Sequence, residues 1–322
     1  MPDIHAIFSS AIYLTGPTAV GKSEISLQLA ENLGAEIVAL DAMTLYRGMD
    51  IGTAKPTSED TSRVGHHLLN LIDPTEESSL DLYLKAAERV LLNLAAKGSR
   101  ALFVGGSPLY LKACLRGLSD LPGRDDTIRS RLELEAESEG VESLHHRLEI
   151  LDPLTASKIA RTDLRRIVRA LEIQTLTGTP PSQLRVRHDK PAPETIPVIA
   201  VLRDRKTLYD RIDRRVLSMF EQGLVEEAKS LPQPLSRTAR QAVGYSEVFE
   251  HLAGRMTIEQ AIEKTQLRTR HYAKHQLTWF RRLEEVRGLR IGGKSEKQVV
   301  DELMKTIEST QAGSPPEGDP IE

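Results

Sequence analysis

An α/β fold, with a parallel sheet core, flanking helices and an all-helical insertion, is predicted by three features of this 322-residue sequence. The first is Gly16-Pro17-Thr18-Ala19-Val20-Gly21-Lys22-Ser23, which matches the phosphate-cradling pattern G-x-x-x-x-G-K-[ST] between an apolar run and a helical one, so the core is of the P-loop type. The second is an alternation of short apolar runs with longer helical stretches, the pattern that builds parallel sheets. The third is a change after Gly117 from strand-and-helix to helix upon helix, lasting until strand-like sequence resumes at Ile196.

Residues 11–15 form a short apolar run that predicts a buried strand, and residues 23–33 place Ile25, Leu27, Leu29, Ala30 and Leu33 mostly on one helical face. A second strand is expected over 36–40, then a long loop through Lys55 and Pro56, a helix over 79–96 and a strand over 100–104 that ends in Gly105-Gly106. Helices are expected over 128–139, 142–151, 154–161 and 164–176, separated by Gly140, Asp152-Pro153 and Asp163. Thr177-Gly178-Thr179-Pro180-Pro181 and Lys190-Pro191-Ala192-Pro193 mark a boundary and a linker. The sheet resumes over 196–202, helices follow to about Leu283, a short strand is expected over 289–291, and a last helix over 296–307. The predicted division is therefore a discontinuous core over 1–117 and 191–308, a helical insertion over 118–190, and a disordered tail over 309–322 rich in Gly, Ser and Pro.

Composition bounds the function without naming it. With 39% hydrophobic residues the chain can bury a sizeable core, and its length suggests two units. A single cysteine excludes a disulfide framework and a multi-cysteine zinc site and fits a reducing cytoplasm. Neither a membrane span nor an export signal is expected, because no apolar run of roughly 18 residues exists and the N-terminus lacks a basic stretch followed by an apolar core. A net charge of -3 gives no global sign of nucleic-acid binding. Locally, Arg161, Arg165, Arg166 and Arg169 crowd one side of a helix, and basic clusters recur at 185–190, 203–206, 211–215 and 268–282, the last interleaved with Tyr272 and Trp279. Such clusters suit phosphate backbones and splayed bases, or equally solvated helix faces paired with glutamates.

The glycine loop has a definite chemistry. Its backbone N–H groups turn inward to phosphate oxygens, the following helix adds positive potential at its N-terminus, Lys22 supplies a mobile charge, and the Ser23 hydroxyl can ligate Mg²⁺. That establishes a polyphosphate or diphosphate ligand and leaves the reaction open. Asp41 follows the second strand and would stand at the carboxyl edge of the sheet, where it is available as a base. Gly105-Gly106 stands where many nucleotide hydrolases carry a metal-binding aspartate, which weakens the hydrolase reading.

The loop, together with Asp41-Ala42-Met43-Thr44-Leu45-Tyr46-Arg47-Gly48-Met49-Asp50-Ile51-Gly52-Thr53-Ala54-Lys55-Pro56, closely resembles the bacterial tRNA dimethylallyltransferase (isopentenyl-tRNA transferase) family. Further segments agree: His66-His67-Leu68, Ile72-Asp73-Pro74, Gly105 to Tyr110, Asp163 to Glu172, Val243-Gly244-Tyr245, and Thr269 to Trp279, so that the resemblance runs from about 11 to 282. It implies transfer of a dimethylallyl group from dimethylallyl diphosphate to N6 of adenosine 37 in tRNA. The diphosphate becomes the leaving group, held by residues 16–23, Arg211 and Mg²⁺, the metal carried in part by Ser23. By family position Asp41, Thr18 and Lys22 form the catalytic centre, with Asp41 accepting the N6 proton. Contacts to tRNA are implied for Asp41, Ala42, Met43, Thr44, Ser107, Arg129, Arg165, Arg166, Ile167, Val168, Arg169 and Gln241. The helical insertion would grip the anticodon stem-loop, the target base would leave its stack to reach the diphosphate, and the enzyme would act as a cytoplasmic monomer.

Three departures from the family pattern bear on base recognition. Asp-Ser-x-Gln reads Asp41-Ala42-Met43-Thr44, Gly-Gly-Thr-Gly-Leu-Tyr reads Gly105-Gly106-Ser107-Pro108-Leu109-Tyr110, and Lys-Arg-Gln reads Lys274-His275-Gln276. Arg165 stands in place of the family's glutamine. The competing readings are a small-molecule kinase, which does not call for the basic insertion or the Gly52–Pro56 block, a transferase acting on free adenylate, which needs no tRNA-sized surface, and a non-catalytic RNA-binding protein, which has no use for Lys22, Ser23 and Asp41.

Overall fold

The computed structural model describes residues 4–117, 121–184, 191–313 and 318–321. They divide into two compact units, one of residues 1–115 with 191–322 and the other of residues 116–190.

The larger unit is built on six strands: β1 (Ile12–Thr15), β2 (Ala35–Ala39), β3 (His66–His67), β4 (Arg100–Val104), β5 (Val198–Leu202) and β6 (Arg287–Arg290). They pair in the order β3-β2-β4-β1-β5-β6, every pair parallel. β1 and β5 are buried at every position, as expected of strands covered on both faces. Side-chain alternation then sorts the residues. Tyr13, Val38, Phe103, Val198 and Ala200 enter one hydrophobic cluster, and Ile12, Leu14, Ile37, Leu102, Ile199 and Val201 the other. Tyr13 and Phe103 are register partners whose rings stack at 4.9 Å. The first face takes Tyr83, Ala87, Leu91 and Leu94 from the helix Leu80–Ala96; the second takes apolar stripes from the helices Lys22–Leu33, Arg205–Glu221 and Glu296–Gln311.

The parallel arrangement places the ends of β1, β2, β4 and β5 along one edge, so that Gly16, Asp41, Gly105 and Arg203 begin adjacent loops. Three parts of this unit differ from expectation. A helix Ile4–Ser9 precedes β1, and the segment expected as a long loop contains the helix Ser58–Arg63 and β3. That helix has no buried residue and therefore no apolar stripe, and it is announced only by a capping box of Thr57 and Asp60. The tail expected to be disordered from 309 is not so in its described residues. The last helix continues to Gln311, and Asp319 pairs with the edge strand β6, donating its N–H to the Gly288 carbonyl at 2.8 Å and accepting the Arg290 N–H at 2.6 Å. An edge strand has unpaired backbone groups, and this segment satisfies some of them.

The smaller unit is helical among its described residues, with helices Asp126–Glu139, Val141–Leu151, Pro153–Ala156, Leu164–Thr177 and Pro181–Leu184 around Leu132, Leu144, Leu148, Ile167 and Leu171. The helix expected over 154–161 stops at Ala156. Buried His145 supplies the reason: its Nε2 donates to the carbonyls of Ala156 and Ile159 at 3.3 and 3.1 Å, ending the ladder in a turn. The basic run 185–190 lies outside the described residues.

Candidate active site

The loop between β1 and the helix Lys22–Leu33 has the backbone its sequence requires. Gly16 (φ +139°), Ala19 (+63°) and Gly21 (+108°) interrupt ordinary dihedrals, and a side chain at Gly16 would meet the Val201 carbonyl at 2.5 Å. Lys22 folds back over the loop, its Nζ donating to the Gly16 and Pro17 carbonyls at 2.8 Å each. Burial, aided by the neighbouring Arg215, brings the ammonium down to about 7, against a partial lift from Asp41.

Three arginines meet three successive loop residues. Arg203 Nε donates to the Val20 carbonyl and Arg211 Nε to the Ala19 carbonyl, each at 2.8 Å, while Arg215 donates to the Thr18 hydroxyl. Arg215 is lowered to about 10 by burial, with Asp41 resisting, and its Nε is buried without a partner. Arg211 was expected from the resemblance. The sequence marks Arg203 and Arg215 only as members of basic runs, although the spacing of Arg215 four residues after Arg211 on the helix Arg205–Glu221 is a usable signal.

Asp41 stands just beyond β2, its carboxylate accepting the Met43 N–H at 2.7 Å. Burial raises its pKa above the ordinary carboxylate range, opposed by that hydrogen bond and by Lys22. Thr44, the residue that departs from the family glutamine, turns its hydroxyl to the Asp41 carbonyl at 3.3 Å. Ala42 and Met43 pack against the core on one face of the sheet. Gln276 ties the edge together: its Oε1 accepts the Thr18 N–H at 2.9 Å and its Nε2 donates to the Gly106 carbonyl at 2.6 Å. Gly106 must be glycine for this, because a Cβ there would collide with the Gln276 amide.

These residues line one cavity of about 290 Å³, bounded by Thr18, Ala19, Gly21, Lys22 and Ser23 on the loop, by Asp41, Thr44, Gly105 and Gly106 on the strand ends, and by Arg211, Arg215, Tyr272 and Gln276 on the helices. Thr53, Ala54, Lys55 and Pro56 close another side. The specific block around Gly52 is thus a wall, held by two anchors: Lys55 Nζ donates to the Tyr46 carbonyl, Asp50 and Asn70, and Glu227 accepts the N–H groups of Asp50, Ile51 and Gly52.

Other expected residues are placed differently. The Val20 side chain is fully buried in the core, so Val20 offers the loop only its backbone. Ser107 is buried and its carbonyl accepts the Leu111 N–H at 3.0 Å. Gln241 is exposed, and its carbonyl accepts from Arg268 at 3.4 Å. In the helical unit, Ile167 and Val168 are core residues, so their side chains do not form an outer surface. Arg129 holds the fully buried Glu172 carboxylate at 2.8 and 2.9 Å, and Arg169 binds it at 2.6 Å and the Pro122 carbonyl at 2.7 Å. Arg165 and Arg166 are exposed, Arg166 lying 3.4 Å from Asp163.

Known proteins are similar to this chain in sequence and in fold. The family model described as IPP transferase matches residues 44–283, and one described as isopentenyl transferase matches residues 10–70. A tRNA dimethylallyltransferase of Rhodopirellula baltica is 42% identical over 315 residues, covering 94% of this chain and 93% of the relative, and one of Geobacter metallireducens is 40% identical over 300 residues, covering 92% and 96%. The solved structure of the full-length tRNA isopentenylpyrophosphate transferase of Bacillus halodurans is similar at a TM-score of 0.70 and 35% identity, covering 95% of this chain and 98% of that one. With most of its length matched by the family model and by these relatives, the chain belongs to the IPP transferase family of tRNA-modifying transferases.

Proposed function

We propose that this protein transfers the dimethylallyl group of dimethylallyl diphosphate to N6 of adenosine 37 in tRNA, giving N6-(dimethylallyl)adenosine. The observation that carries this reading is the convergence of Lys22, Arg211, Arg215 and Asp41 on one cavity. The cations suit a departing diphosphate, and the half-buried carboxylate suits an amine that must lose a proton. In the reaction the bond between the allylic carbon and the diphosphate oxygen breaks, a bond from that carbon to N6 forms, and the N6 proton passes to Asp41. Thr18 and Lys22 hold the diphosphate with the backbone N–H groups of residues 19–23. Adenine's exocyclic amine is a poor nucleophile, so orientation by Asp41 and the cavity walls contributes more than base strength.

Mg²⁺ fits the donors available here. Among the described residues no group of three His, Cys, Asp or Glu side chains could hold a metal, whereas Ser23 lines the cavity, and Mg²⁺ is commonly held by one or two protein oxygens together with substrate phosphates. When bound it neutralises charge on the leaving diphosphate.

The helical unit grips the anticodon stem-loop through exposed Arg165 and Arg166, with Arg129 and Arg169 beside Glu172. The enzyme acts as a cytoplasmic monomer, a compartment that agrees with its single buried cysteine. No described helix is long and apolar enough to cross a membrane.

The test is to incubate the protein with labelled dimethylallyl diphosphate, Mg²⁺ and either unmodified tRNA or AMP. Label is expected in tRNA, at adenosine 37 after digestion, and absent from AMP. Labelling of AMP, or of neither, overturns the reading.

A further inference from the structure

The three arginines on the glycine loop do different work, and the geometry separates them. Arg211 and Arg215 line the cavity. Arg203 donates through Nε to the Val20 carbonyl at 2.8 Å. In a trans peptide the C=O and the N–H point in opposite directions. The unit whose carbonyl is Val20's therefore carries the N–H of Gly21 on its other side, and Gly21 lines the cavity. Arg211 makes the same bond to the Ala19 carbonyl one unit earlier. Each guanidinium reaches close to Gly21 as well, the Arg211 and Arg203 terminal nitrogens lying 3.5 and 3.6 Å from where a Cβ would begin.

We infer that Arg203 is a positioning residue for the diphosphate cradle, fastening the Val20 carbonyl so that the Gly21 N–H stays turned into the cavity and is polarised toward an anionic oxygen. A cation bound to a carbonyl draws electron density from its amide, and hydrogen bonds in series strengthen one another in this way. The loop needs such a brace because Ala19 and Gly21 both hold positive φ, and without a fixed carbonyl the peptide between Val20 and Gly21 can rotate away. Arg203 thereby serves the diphosphate without touching it. The inference deepens the proposed function and rests on that reading for the identity of the anion.

The test compares Arg203→Ala, Arg203→Lys and, as a charge control, Arg214→Ala. Arg214 is exposed on the same helix as Arg211 and Arg215, and its Nε donates to the Asp210 carbonyl at 3.2 Å. Inorganic pyrophosphate with Mg²⁺ is titrated calorimetrically, and the Gly21 amide ¹⁵N shift is followed in ligand-free, glycine-labelled protein. Arg203→Ala is expected to weaken pyrophosphate binding about tenfold, the scale of one charged hydrogen bond. It should also raise the KM for dimethylallyl diphosphate and leave the KM for tRNA in place. Arg203→Lys, which keeps a donor, should recover part of the loss and gives the readout if the alanine variant fails to fold. The Gly21 amide should move upfield in Arg203→Ala before any ligand is added.

An unmoved Gly21 amide, or a loss no greater than that of Arg214→Ala, overturns the positioning role. Wild-type protein that transfers dimethylallyl to tRNA while Arg203→Ala binds pyrophosphate normally overturns this inference alone. Wild-type protein that binds neither pyrophosphate nor dimethylallyl diphosphate overturns the proposed function and the inference with it.

Discussion

Gln276 accepts the backbone N–H of Thr18 at 2.9 Å although 258 residues of sequence separate them, and the same amide donates to the Gly106 carbonyl at 2.6 Å. One side chain from the long helix Ile258–Phe280 thus joins the loop after β1 to the loop after β4. Removing it frees the Thr18 peptide, and enlarging Gly106 displaces the same amide. Gln276→Ala and Gly106→Ala are each expected to lower turnover about tenfold, the worth of one buried hydrogen bond made to a fixed backbone group. The double variant should fall little further than either single one, because both break the same link. A double-variant loss equal to the product of the two single losses would show that they act separately.

Lys22→Ala should lower turnover by about 10²–10³, the scale of one preorganised electrostatic donor, with tRNA affinity nearly unchanged. A comparable loss of tRNA binding would refute the assignment of Lys22 to the leaving group.

The depressed Lys22 pKa, about 7 against an ordinary 10.5, has a pH consequence. Between those values the unfolded chain binds a proton that the folded one has released. The contribution of this group to stability therefore rises with pH across that window and is flat below it. Binding an anion beside the amine favours its charged form. Pyrophosphate binding at about pH 8 should take up a proton, seen as a heat that depends on the buffer's ionisation enthalpy. The buffer dependence should vanish in Lys22→Met.

Asp41→Asn should abolish most transfer in single-turnover experiments while pyrophosphate still binds, because asparagine keeps the shape and cannot accept the N6 proton as a carboxylate does. Burial raises the Asp41 pKa, so the acid limb of the wild-type pH profile should lie above the ordinary carboxylate range. A variant within a few-fold of wild type would reduce Asp41 to a positioning role.

The arginines of the helical unit should separate into two kinds. Arg165 and Arg166 are exposed, and if each meets a phosphate, its replacement by Ala should lower the log–log salt slope of tRNA binding by roughly 0.7. Arg169 supports the buried Glu172 carboxylate and the Pro122 carbonyl. Arg169→Ala should therefore lower stability by about 1–3 kcal/mol in denaturant titration. An unchanged salt slope in Arg165→Ala with Arg166→Ala would leave these two as solvated charges.

Features that depend on neighbours in the chain are legible in the amino-acid sequence. A glycine loop between a strand and a helix, apolar runs of strand length, and helical stripes are local patterns, and they located β1, β2, β4, β5 and the principal helices within a few residues. The loop residues and Asp41 were legible for the same reason, since parallel topology sends strand ends to one edge. Elements without an apolar signature were not legible, such as the helix Ser58–Arg63 and the two-residue β3, nor was the pairing of Asp319 with Gly288, which depends on β6 being an edge. Which basic residues serve the cavity depends on the folded chain. In the sequence Arg203, Arg211, Arg215 and Arg169 are alike, cations in basic runs, and Arg129 lies outside them. Folding sends Arg203, Arg211 and Arg215 to Val20, Ala19 and Thr18, and Arg129 and Arg169 to Glu172, because a guanidinium's role is set by the acceptor it reaches; except for Arg169, whose Glu172 acceptor is three residues on in the same helix, those acceptors lie far along the chain.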